Sequence, residues 1–179
     1  MVPGGAGVPQ VGTSEAFIDA VALAADTSYY FKAAAVSNNG VPTAYAALST
    51  ATLASQPSGF YFSDPAPGSV RLNWADGGNP YPGTLYRVAV STAPDPLNPG
   101  LAAVSVYETT DLYAAPASLA PNTTYYFKVA AVNRRGQVTD YSSAQSTSTL
   151  AAQPSGFVFS GTTQDHIQFN WNDAGNGPN

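Results

Sequence analysis

Apolar and polar residues alternate along several short runs of this chain. Val70-Arg-Leu-Asn-Trp74 sets Val70, Leu72 and Trp74 to one side and Arg71 and Asn73 to the other, the two-residue period of a strand with one buried face. Ile167-Gln-Phe-Asn-Trp171 repeats the pattern. Tyr86-Arg-Val-Ala-Val90 and Tyr125-Tyr-Phe-Lys-Val-Ala-Ala131 alternate likewise, with Tyr86, Val88, Val90 and Tyr125, Phe127, Val129, Ala131 as the expected inward sets. Turn formers separate these runs: Asp64-Pro-Ala-Pro-Gly68, Asp76-Gly-Gly-Asn-Pro80, Pro94-Asp-Pro96, Asn98-Pro-Gly100 and Arg135-Gly136. No run carries a helical apolar stripe. Short alternating strands at this spacing predict an all-β chain of antiparallel sandwiches.

The pattern recurs. Leu119-Ala-Pro-Asn-Thr-Thr-Tyr125 has a near copy in Leu23-Ala-Ala-Asp-Thr-Ser-Tyr29, and 96 residues separate Tyr29 from Tyr125 and Tyr45 from Tyr141. Over 23–45 against 119–141, 13 of 23 residues are identical, where unrelated segments match at roughly one position in fifteen to twenty. Trp74 and Trp171 stand 97 apart, as do the starts of Gln56-Pro-Ser-Gly-Phe60 and Gln153-Pro-Ser-Gly-Phe157. A period near a hundred residues is the size of an autonomous domain. The expected organisation is therefore the C-terminal part of one unit at 1–54, a complete unit at 55–151, and the N-terminal part of the next at 152–179. The Leu150-Ala-Ala-Gln-Pro154 link has little slack, so units should follow end to end at on the order of 30 to 35 Å each.

These motifs resemble the fibronectin type III family, in tandem as on prokaryotic or other extracellular surfaces. The resemblance rests on Trp74 ending an early strand, Tyr86 centring the third, and Leu119-x-Pro121-x-Thr-x-Tyr125 leading into Phe127, Val129 and Ala131. It implies a tyrosine corner, with the Tyr125 hydroxyl bonded to the backbone just upstream. Leu23 and Tyr29 carry the same motif, with Ala25 where Pro121 stands, which implies a less rigid corner loop. Trp171 is the counterpart of Trp74.

Matched onto the complete unit, Met1 corresponds to Leu97 and Asn179 to Pro82, so the two partial units together lack the counterpart of 83–96 and its third strand. Their apolar faces, with Tyr29 and Phe31 at one end and Phe169 and Trp171 at the other, are expected to be open to water. Two explanations follow: an excerpt of a longer repetitive chain, or strands donated between copies in a head-to-tail filament.

Composition narrows the function classes. The chain is 44% apolar but only 9% charged, with net charge −5 and no cysteine. Six cations form no basic stripe, which argues against nucleic acid. No run is long enough to span a bilayer, Met1–Pro9 lacks the features of a secretion signal, and disulfides and thiolate metal sites are excluded.

Candidate chemistry is sparse. His166 is the lone histidine, beside Asp165, and the acids are scattered, so no catalytic, cofactor or metal site is expected. The Asp76–Asn79 and Asp173–Asn176 loops lack the carboxylate series of a calcium loop and read as turns. Asn133-Arg-Arg-Gly-Gln137 and Ser37-Asn-Asn-Gly-Val41 contain no Arg-Gly-Asp. Asn122-Thr-Thr124 is a formal glycosylation sequon, and Tyr30, Tyr61, Tyr107 and Tyr126 are outward candidates for stacking.

The expected function is a structural, extracellular or cell-surface repeat protein, a stalk, adhesin shaft or filament subunit whose partners are neighbouring copies of the same domain. The alternative is a spacer or carbohydrate-binding accessory segment of a secreted polysaccharide-degrading enzyme.

Overall fold

The structure is a computed structural model that describes residues 12–98 and 104–176. Met1–Pro9, weighed above as a secretion signal, the end of the Asn98–Gly100 turn and Asn179 lie outside the described residues. Eleven strands and no helix are found among those described. In order they are β1 (Ser28–Ala33), β2 (Ala46–Ala51), β3 (Ser58–Ala66), β4 (Ser69–Ala75), β5 (Leu85–Ser91), β6 (Ser105–Thr109), β7 (Tyr113–Ala114), β8 (Thr124–Val132), β9 (Gln145–Ser148), β10 (Ser155–Ser160) and β11 (Gln168–Asn172).

Strands β3 to β9 build one sandwich. A three-stranded sheet in the order β3-β4-β7 faces a four-stranded sheet in the order β6-β5-β8-β9, all antiparallel. Between them lie Val70, Leu72 and Trp74 from β4, Tyr86, Val88 and Val90 from β5, and Phe127, Val129 and Ala131 from β8, all buried. The alternating residues thus reach the core from both sheets. Edge-to-face rings knit the layers: Phe62 with Phe127 at 5.4 Å and Trp74 with Tyr86 at 5.5 Å.

Alternation is not the whole pattern. Ala89 and Ala130 point to the opposite face of the four-stranded sheet, yet both are fully buried. The loop after β5 folds back over that face. Its Asp95 pairs with Lys128 of β8 at 2.9 Å, and Pro96 is buried.

One turn assignment is corrected. Asp64 and Pro65 do not leave the strand, because β3 continues to Ala66 and the chain reverses only at Pro67-Gly68. The register shifts between Ser63 and Ala66, with Asp64 at φ 51°. Such a bulge accommodates a proline inside a strand.

The flanking segments each form a lone hairpin: β1 with β2, and β10 with β11. Phe17-Ile18 are the counterparts of β7 but form no strand. β7 is held by Leu72 and Asn73 of β4, and unit one has no described counterpart of β4. The inner faces stand open, as expected. Phe31 is 42% exposed where its counterpart Phe127 is 0%, and Trp171 is 56% exposed against 4% for Trp74. Phe169 lies within 5.6 Å of Phe157, Phe159 and Trp171, an aromatic row with no second layer among the described residues.

Candidate functional site

The sequence candidates for chemistry do not converge. His166 is exposed on the β10–β11 turn, where its carbonyl accepts the Thr163 N–H at 2.8 Å and Asp165 accepts the Thr163 hydroxyl. Among the described residues no three His, Cys, Asp or Glu side chains are grouped to hold a metal. The Asp76 and Asp173 carboxylates each accept a backbone N–H two residues on, from Gly78 and Gly175. Those loops are turns. Asn122 is half-buried with φ 49°, in the loop before β8. Tyr30 and Tyr61 are well exposed, and Tyr126 is half-buried.

The residues that do converge lie at the joint between units. At one end of the sandwich, Asn79 holds the incoming chain: its carboxamide oxygen accepts the Ser55 N–H at 2.7 Å and its NH2 donates to the Ser55 carbonyl at 2.8 Å. The start of the last unit repeats this, Asn176 accepting from Ala152 N–H at 2.7 Å and donating to its carbonyl at 2.9 Å. Gly77, with φ 68°, lies so near this link that a Cβ there would stand 2.6 Å from the Gln56 carbonyl oxygen.

Asp26 completes the first joint. It is 0% exposed although its own unit is largely open. Its carboxylate accepts the Thr84 hydroxyl at 2.6 Å and the Arg134 backbone N–H at 2.7 Å, while its carbonyl accepts the Arg134 Nε–H at 2.9 Å. Asn133 adds a bond from its Nδ2–H to the Thr52 carbonyl at 3.0 Å. The Arg134 side chain thus serves the joint, and the Arg135 Nη1–H reaches the Ser49 carbonyl at 3.5 Å. A cleft of about 280 Å³ opens beside it, lined by Leu53, Ala54, Gln56 and Gln137 to Asp140. Nearby, burial pushes the Tyr86 phenol above its ordinary value; a hydrogen bond with Asn79 opposes this, and the Asp76 and Asp26 charges add to it.

The tyrosine corners decide the fold family. The Tyr125 hydroxyl accepts the Ala120 N–H at 2.8 Å, and Tyr29 accepts the Ala24 N–H at 2.8 Å. Leu119 packs on the core beside Tyr125, and the Pro121 carbonyl accepts the Thr123 hydroxyl as the Ala25 carbonyl accepts that of Thr27. Leu23 is exposed, with no second layer over it among the described residues. With a three-plus-four sandwich and this corner, one conclusion stands.

The middle unit has a fibronectin type III-like fold.

Solved structures of fibronectin type III domains are similar to the chain. The FN5 domain of Drosophila Lar matches at 20% identity over 56% of this chain and 100% of its own, with a TM-score of 0.43. A two-domain fibronectin type III segment of chicken tenascin matches at 20% identity over 65% of this chain, with a TM-score of 0.49, and the chain spans 62% of that segment. Domains d3–d4 of the rat CD45 extracellular region match at 16% identity over 80% of this chain and 75% of their own, with a TM-score of 0.45. No protein-family model matches the sequence, and no curated protein does.

Sequence reasoning missed Asp26. Its fibronectin type III-like loop is repeated at 122, but nothing local distinguishes a joint residue from an ordinary turn former.

Proposed function

We propose that this chain is a structural spacer, a run of fibronectin type III-like sandwiches joined end to end on a cell surface or outside the cell. It carries no catalytic step in this reading. One observation supports it above others: Asp26 of the first unit is wholly buried against Thr84 and Arg134 of the next. Buried polar groups are costly unless paired, and here they are paired between successive parts of the chain rather than around a concave pocket. No described helix is long and apolar enough to cross a membrane.

Small-angle scattering from chains with one, two and three complete units tests this. The longest dimension should grow by about 30 to 35 Å per unit; a compact particle whose length does not grow rejects the spacer.

The finer reading, a filament subunit, draws on the open faces. In the middle unit Phe62 covers Phe127 at 5.4 Å; their counterparts Phe159 and Phe31 are exposed in the flanking hairpins. In a filament, β10–β11 of one copy covers β1–β2 of another. Concentration-dependent assembly that is lost in Phe31→Ser supports it, and monomers at all concentrations reject it.

The exposed row Phe157, Phe169 and Trp171 favours the carbohydrate-binding alternative, since sugars stack on such rings. The same positions are core in the middle unit, which weighs against it. Retention on insoluble polysaccharide decides.

A further inference from the structure

We propose that Thr84 and Arg134 form a receptor at one end of each sandwich for the left-handed turn residue of the unit before it, Asp26 here. This rests on the spacer reading and names the contact that fixes one unit against the next.

Asp26 has φ 42°, a backbone region that Asp and Asn visit more readily than other side-chain-bearing residues. The turn is fixed within its own unit, because the Asp26 N–H donates to the Leu53 carbonyl at 3.0 Å. That geometry projects the carboxylate out of unit one. Both its oxygens are then taken up by the next unit, at Thr84 and at the Arg134 backbone. A fully buried carboxylate is stable only with such partners, and hydrogen bonds to a charged acceptor are the stronger kind. The Arg134 guanidinium, held on the Asp26 carbonyl, brings positive charge to the same place. It lies beside Gly83, where a Cβ would come 3.5 Å from Nη2.

The middle unit presents the same element at its far end. Asn122 takes φ 49°, and its N–H donates to the Leu150 carbonyl at 3.1 Å, as Asp26 does to Leu53. A carboxamide fits the same receptor. Its oxygen accepts the backbone N–H, and its NH2 donates to the hydroxyl that Asp26 accepts from. The receptor therefore reads the shape and the acceptor of an Asx residue in the left-handed region.

The test uses the 179-residue chain and reads the Arg134 amide by hydrogen exchange, because Asp26 is the partner of that N–H. Asp26→Gly keeps the left-handed turn accessible and removes the carboxylate. It should speed exchange at Arg134 by about tenfold, while amides of β4 and β8 exchange as before. Asp26→Asn should restore most of the protection, and Thr84→Val should lose part of it. Unchanged Arg134 exchange in Asp26→Gly overturns the proposal. Failure of the spacer reading is seen separately, in the scattering of multi-unit chains, and leaves the Arg134 result readable.

Discussion

The Tyr125 hydroxyl accepts the backbone N–H of Ala120 at 2.8 Å, tying β8 to the loop that delivers it. Tyr125→Phe removes the acceptor and leaves that N–H to other partners. The expected loss is about 1 to 2 kcal/mol of unfolding free energy, read from the urea midpoint at unchanged slope. An unshifted midpoint would show that the corner bond is dispensable here.

Phe127 and Phe31 occupy one repeat position in opposite surroundings, one fully buried and the other 42% exposed. Phe127→Ala should cost about 3 to 5 kcal/mol through lost burial and the cavity left behind. Phe31→Ala should change global stability by less than about 1 kcal/mol. Paired thermal melts measure both, and equal losses would mean that the first hairpin is covered in solution.

Alkali should weaken the sandwich through Tyr86. Burial raises its phenol above the ordinary 10.0 in the folded state, so above that pH the unfolded chain releases the proton first. The folded state then binds more protons than the unfolded one, and stability falls as pH rises. Its contribution is whole below about pH 10 and is lost as pH climbs toward the raised value. Tyr141, also raised by burial with Arg87 opposing, acts in the same direction. Tyr86→Phe should flatten the decline, as followed by urea melts between pH 8 and 11; an identical decline in the variant would remove Tyr86 as its source.

Ala25 stands where the second corner has Pro121, yet both carbonyls accept the same threonine hydroxyl bond at 2.8 Å. The missing ring therefore leaves the bound geometry intact and acts on the freedom of the unfolded loop. Ala25→Pro should stabilise the first corner by about 0.4 to 1 kcal/mol, seen as slower amide exchange in β1. Faster exchange would show that the ring does not fit.

Alternation alone identified the core of the middle unit, because Val70, Leu72, Trp74 and their partners are buried by strand periodicity and little else. It could not find Ala89 and Ala130. Their burial depends on a loop brought back by the Asp95–Lys128 pair, 33 residues apart in sequence. Asp64-Pro65 read as a turn because a bulge uses the same residues. The joint was least legible. Asp26 meets partners 58 and 108 residues away, and no local pattern encodes such a meeting.

Gly77 sits where a methyl group would stand 2.6 Å from the Gln56 carbonyl oxygen, and its counterpart Ala174 carries that methyl. The Gln153 carbonyl therefore cannot hold the place that Gln56 holds, although the asparagine clasp is kept. The path of a unit's first residues past this loop is thus shaped by a single carbon atom, at a position outside the sandwich core.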